Sequence, residues 1–133
     1  MTFVDTNYFL RFLLKDNNSQ HLVAKKLFLS AAKGEIDVTT SIIVFFEIYW
    51  VLKSYYEKNK DELNKTLNKI LNLTFIKLAE REILTKSLKL FKTTTLSLED
   101  CYNLLLAKEI ATDDFASFDE KLKKHFKSSK RKL

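Results

Sequence analysis

Short apolar runs alternate along this chain with longer stretches in which apolar residues return every three or four positions. Thr2–Asp5 is a brief apolar run closing on an acid and predicts a first strand, with Asn7–Leu14 as the helix that follows. Ser19 stands where an N-cap is wanted, ahead of a helical stripe of Ala24, Leu27, Phe28 and Ala31. Gly34 falls where that helix needs a left-handed residue to close. Ile36–Thr40, rich in β-branched residues, predicts a second strand, and Ser41–Tyr56, apolar on nearly every side, a central helix. Asn59 and Glu62 have capping-box spacing ahead of Leu63, Leu67, Ile70 and Leu71. Thr74–Leu78 reads as a third strand, Glu82–Phe91 as a helix, and Ser97 opens another carrying Leu98, Tyr102, Leu105 and Leu106. Asp114–Ser117 is half apolar and predicts a fourth strand, followed by a final helix over Asp119–Phe126. Strands separated by helices favour an α/β protein, a three-layer α/β/α sandwich around a mainly parallel sheet.

Composition narrows the chemistry. The 133 residues fit one domain with a real hydrophobic core. With no proline, one glycine and no low-complexity stretch, the expected organisation is a domain over 1–126 and a short basic tail over 127–133. The longest apolar run, Ile42–Leu52, is interrupted by Glu47 and does not suit a membrane span, and MTFVDTNYF lacks the pattern of a secretory leader. Cys101 is the single cysteine and so forms no internal disulfide, in keeping with a reducing compartment such as the cytoplasm. His21, His125 and Cys101 are too few for a zinc site of the usual kind, so any metal here is a hard cation held by oxygen. No glycine-rich phosphate loop is present, and two histidines offer no credible Ser/His/Asp arrangement.

The net charge of +6 is unevenly placed. Residues 1–119 hold 16 basic and 16 acidic side chains, whereas 120–133 hold seven basic residues against Glu120 alone. Polyanions are the natural partners of such a segment, because each phosphate contact releases condensed counterions. Lys121, Lys124, Lys127, Lys130 and Arg131 are therefore candidate contacts to a polyanion such as RNA, and Arg11, on the helix after Asp5, is another. A solvated basic end and a plain Arg11 ion pair are the structural alternatives.

Four acids carry the functional reading. Asp5 ends the first strand, Asp100 lies in the first turn of the Ser97 helix, and Asp119 precedes the last helix. These are places that face the carboxyl edge of a parallel sheet, where ligands bind. Helix capping competes with catalysis for Asp100 and Asp119, since acids in a first turn accept orphan N–H groups. Capping is less needed at Asp5, because Thr6 and Asn7 are themselves good caps. Glu47 stands inside SIIVFFEIYWVL with five apolar residues on either side, which suggests a carboxylate in apolar surroundings that calls for a cation. Four clustered carboxylates need a counter-charge, and Mg²⁺ or Mn²⁺ supplies one.

The run FVDTNYFLRFLL resembles the opening of PIN domains of the VapC toxin type, and TTSIIVFFEIYWVLKSYY resembles that family's second block, with Glu47 at its acidic position. LEDCYNLLLA is similar to the third block and sets the next aspartate on Asp100 rather than Glu99. ASFDEKLKK is similar to the closing block, with Ser117 as a supporting hydroxyl, beside Asn7, and Asp119 as the fourth acid. The resemblance implies a PIN-like sandwich with Asp5, Glu47, Asp100 and Asp119 around one or two Mg²⁺/Mn²⁺ ions. It further implies a toxin ribonuclease that hydrolyses tRNA or rRNA to 5′-phosphate and 3′-hydroxyl ends, acts as a homodimer and is neutralised by a small antitoxin. HFKSSKRKL has little strand character and departs from the family's usual fifth strand. Rival readings are a PIN-type nuclease of RNA processing or of DNA outside any toxin system, a catalytically silent RNA-binding domain, and an aspartyl-phosphate phosphatase built on Asp5. The last of these lacks the usual second aspartate, having Asn7 in its place.

Overall fold

The computed structural model describes residues 1–131, with side chains as far as residue 128. Two compact units make up the chain, Met1–Arg81 and Glu82–Leu133.

The first unit holds a three-stranded parallel sheet and four helices. Strand β1 (Thr2–Phe3) leads to α1 (Thr6–Leu14) and α2 (Asn18–Ala32); β2 (Val38–Thr39) leads to α3 (Ile42–Ser54) and α4 (Lys60–Leu71); β3 (Ile76–Lys77) follows. The strands pair in the order β1-β2-β3, with Thr2 level with Val38 and Val38 level with Ile76. Each strand is only two residues long, shorter than the apolar runs that announce it. Outlying bonds lengthen the pairing slightly: Thr2 N–H donates to Asp37 O, Val4 N–H to Thr39 O and Thr40 N–H to Lys77 O. The buried Thr40 hydroxyl donates to Val4 O at 2.8 Å and ties the ends of β1 and β2 together. Val4, Val38 and Ile76, one from each strand region, are buried along with Phe9, Phe45, Ile48 and Leu67 from the helices. Helices α1 and α2 meet through Phe28, whose ring lies 5.4 Å from Phe9 and 5.0 Å edge-on from Phe12.

Local chemistry sets the helix ends. Ser41 caps α3 by accepting from Val44 N–H, and Asn59 and Glu62 form the reciprocal capping box at the start of α4. Gly34, at φ 77°, closes α2: its N–H donates to Ala31 O while Glu35 N–H donates to Ser30 O, the paired bonds of a Schellman turn. One cap differs from expectation. Asn17, not Ser19, is the N-cap of α2, accepting from Gln20 N–H at 3.1 Å, and Ser19 sits inside the first turn donating its hydroxyl to Asn17. Two capping residues lie within three positions, and the extended backbone of Asn17 decides between them. Arg81 donates to the carbonyls of Leu71 and Ile76, satisfying the end of α4 and the approach to β3. Partial burial lowers the pKa of its guanidinium.

The second unit is helical: α5 (Arg81–Thr93), α6 (Leu98–Glu109) and α7 (Glu120–Arg131). Ser97 caps α6 as its position suggests. The fourth strand predicted over 114–117 is not formed; among the described residues only β1, β2 and β3 pair. Asp114 accepts from Phe115 N–H and Ser117 from Asp119 N–H, so side chains satisfy backbone groups that a ladder would otherwise use. The boundary expected at 126 falls inside α7, whose helix continues through residues 127–131, and residues 132–133 lie outside the described residues. Leu122 and Phe126, one turn apart, are buried, while Lys121, Lys124 and Lys127 are exposed. Among the residues with described side chains, the basic end is therefore mostly the outer face of a helix. The side chains of Lys130 and Arg131 lie outside the described residues.

Candidate functional site

In the first unit the site begins where β1 turns into α1. Asp5 occupies the N-cap position of α1, with φ −89° and ψ 169°, yet its side chain accepts no capping bond. Its backbone carbonyl takes Tyr8 N–H, and the carboxylate stands exposed. The next residue, Thr6, is 6% exposed and turns its hydroxyl away from its own helix. Thr6 Oγ1 donates to Glu47 Oε2 at 2.7 Å, across 41 residues of sequence. The bond brings the Glu47 carboxylate to the residue directly after Asp5, at the carboxyl end of β1. Thr6 was read from the sequence only as a spare cap; nothing in its immediate neighbours announces a partner on α3.

Glu47 itself differs from the expectation. Despite apolar neighbours on both sides it is exposed, and it shares one helical face with Ile43 and Trp50, which are 70% and 58% exposed. The apolar character of α3 extends to its outer face, so local hydrophobicity overstated the burial of its acid. No lysine or arginine among the described residues pairs with Glu47.

Asn7 is exposed and, with Tyr8, Arg11 and Val23, lines a cleft of about 280 Å³ between α1 and α2. Arg11 is held in an ion pair there. Its Nη1 donates to both Asp16 oxygens at 2.8 Å, its Nη2 to the Tyr56 hydroxyl at 3.4 Å, and Tyr56 donates in turn to Asp16. The Tyr56 hydrogen bond first, and the Asp16 charge with it, raise the pKa of the guanidinium. This is the ion-pair alternative weighed against phosphate contact.

In the second unit Ser97 Oγ accepts from Asp100 N–H, but Asp100 does not return the bond, and its half-buried carboxylate accepts none from the described residues. Beside it, Glu99 Oε1 is buried without a hydrogen-bond partner among the described residues. An unsatisfied buried carboxylate oxygen is costly and marks a place where a cation or donor belongs. The sequence does not single out Glu99, because its neighbour Asp100 fits the same position. Asp119 is the opposite case to Asp5: its Oδ1 accepts from Lys121 N–H at 2.9 Å and Leu122 N–H at 3.2 Å, so it caps α7. Ser117 supports it through the backbone, accepting Asp119 N–H at 3.0 Å. Asp119 Oδ2 accepts no hydrogen bond from the described residues.

The PIN domain family model matches residues 2–126. The chain belongs to the PIN domain family, a nuclease fold whose members act on nucleic acid and generally use divalent metal ions. No curated protein and no solved structure matches it. No helix among the described residues is long and apolar enough to cross a membrane. Among those residues no three His, Cys, Asp or Glu side chains gather into a metal-holding group. The donor chemistry nevertheless suits a hard divalent cation. In the first unit Asp5 has an uncommitted carboxylate and Glu47 one oxygen held by Thr6 and one left over; in the second unit, taken by itself, Glu99 has an orphaned oxygen.

Proposed function

We propose that this protein is a divalent-metal-dependent endoribonuclease, the toxin of a type II toxin–antitoxin pair acting on tRNA or rRNA in the cytoplasm. The observation that carries the reading is the Asp5–Thr6–Glu47 corner: an acid left uncapped at the end of β1, followed by a threonine that orients a second acid from α3. Asp5, Glu47, Asp100 and Asp119 are the metal-binding and catalytic residues, and Mg²⁺ or Mn²⁺ is the cofactor. When bound, such an ion polarises a phosphoryl oxygen and makes its water a nucleophile at neutral pH. Thr6 fixes the angle of Glu47, as hydrogen bonds to ligating carboxylates do. Asn7 and Ser117 support the acids. Hydrolysis forms a bond from water oxygen to phosphorus and breaks the bond to the 3′ oxygen, which leaves with a proton. The exposed lysines of α7 hold the RNA backbone electrostatically. A homodimer and a small antitoxin are the natural partners of a toxin of this kind.

Incubation of total RNA with Mn²⁺, Mg²⁺ or EDTA tests the chemistry: wild type cuts only with metal, and Asp5→Asn does not cut. Equal, metal-independent cleavage by both would discard the mechanism. Growth arrest on expression, relieved by the product of a small neighbouring reading frame, tests the toxin role. Metal-dependent cleavage without growth arrest moves the protein to RNA processing.

A further inference from the structure

We infer that Phe118 is a stacking platform for one unpaired nucleobase of the RNA beside Asp119, with Lys123 and Lys127 of α7 facing the adjoining phosphates. The inference rests on the nuclease reading above. Phe118 is 106% exposed, whereas the neighbouring aromatic Phe115 is half-buried with its ring 5.5 Å from that of buried Phe126. A single exposed apolar side chain is ordinary on a protein surface. Here the position is unusual in three ways. The backbone on the C-terminal side of Phe118 is pinned, since Asp119 N–H donates to Ser117 Oγ and Asp119 Oδ1 receives two N–H groups of α7, while the Phe118 side chain stands fully exposed beside it. Phe118 also borders a cleft of about 490 Å³ whose walls include Phe115, Phe126, Lys123 and Lys127 together with Asp114 and Glu120, a size that suits a small-molecule group. Finally, the cleft opens beside a basic helix: through residue 128, α7 carries four lysines against Glu120, which among the described residues pairs only loosely, at 3.7 Å, with Lys123.

An aromatic face beside a lysine row is the combination that tracks a single strand, because every base has a π-face and every linkage a charge. A base inside a duplex cannot reach such a ring, so the occupant is an unpaired nucleotide in a loop, bulge or end. Asp119 adjoins Phe118 in sequence, which sets the stacked base next to the scissile linkage rather than at a remote anchor.

Cleavage kinetics on a short single-stranded RNA test this, with the same strand carrying one abasic position at each site in turn. Phe118→Leu raises KM about tenfold with kcat within about twofold, and Phe118→Trp restores KM, the scale expected for one stacked base. One abasic position reproduces the loss in the wild type and adds nothing to Phe118→Leu. Because the ring touches solvent alone, melting temperatures of the variants match the wild type. Equal KM for Phe118→Leu and wild type, or an abasic penalty of the same size in both, overturns the stacking role while leaving the nuclease standing. Failure of the wild type to cut any RNA with Mn²⁺ or Mg²⁺ removes both.

Discussion

Two aspartates of this chain stand at the head of a helix, and they are used in opposite ways. Asp119 puts one oxygen on two N–H groups of α7, the ordinary duty of an N-cap. Asp5 holds the same position on α1 and makes no such bond, and Thr6, the next candidate, gives its hydroxyl to Glu47. Helix α1 is thus left without a side-chain cap, a loss on the order of 1 kcal/mol that helices usually avoid. A fold keeps such a vacancy when the side chains concerned serve something else. Under the proposed function, that service in α1 is to hold two carboxylates ready for a cation. In α7 the cap and any metal role must share one carboxylate, with Oδ2 left for the second. Position in a helix therefore does not tell what an acid does; its bonds do.

The largest test of the contrast is Asp5→Asn. If the carboxylate is uncommitted to the helix, the variant loses metal-dependent cleavage at least ~100-fold while its unfolding free energy stays within about 0.5 kcal/mol of wild type. Cleavage assays and denaturant melts on the same preparation read both. A variant that keeps activity, or that unfolds markedly more easily, would return Asp5 to a structural role.

Thr6 sharpens the same point with a smaller effect. Thr6→Val keeps the buried shape and deletes only the donor to Glu47 Oε2. The carboxylate is exposed and regains water, so folding changes by about 1 kcal/mol or less. Mn²⁺ affinity, measured calorimetrically, falls roughly 10- to 100-fold, and Thr6→Ser recovers most of it. Glu47→Gln in the metal-free protein is the companion: with no lysine or arginine partner among the described residues to lose, its stability is unchanged or slightly higher. A drop of about 3 kcal/mol or more, the scale for breaking a buried ion pair, would mark Glu47 as structural instead.

How legible these features were depends on how local their causes are. The caps at Asn59 and Ser97 and the turn at Gly34 depend on a few consecutive residues, and their spacing announces them. Strand extents depend on partners. Ile36 and Thr40 have strand composition but lie outside the paired residues of β2, and Asp114–Ser117 has half-apolar alternation with no ladder to join. The acids at Asp5 and Asp119 were visible because they sit at element ends, yet which of them caps was not, since the backbone angles and the competing hydroxyl decide it. Glu47 stood out for its apolar neighbours, but they flank an exposed face rather than a buried one. The Thr6 bond and the orphaned oxygen of Glu99 join or isolate groups through space and leave no trace in spacing.

The smallest expected difference concerns stability alone and compares the two caps directly. Asp119→Ala strips two N–H groups of α7 of their acceptor and lowers unfolding free energy by about 1 kcal/mol. Asp5→Ala removes no hydrogen bond from α1; what remains is the attraction between a surface carboxylate and the helix dipole, about 0.5 kcal/mol at low salt and less when screened. The gap between the two should therefore persist as salt is added, because the screened dipole attraction is common to both aspartates and the hydrogen-bonded cap belongs to Asp119 alone. Asp119→Asn, whose amide oxygen can still accept, should recover most of the loss, whereas asparagine and alanine at position 5 should differ little. If the two alanine variants unfold alike at every salt concentration, the helix heads are equivalent, and the uncapped state of α1 no longer argues for a function at Asp5.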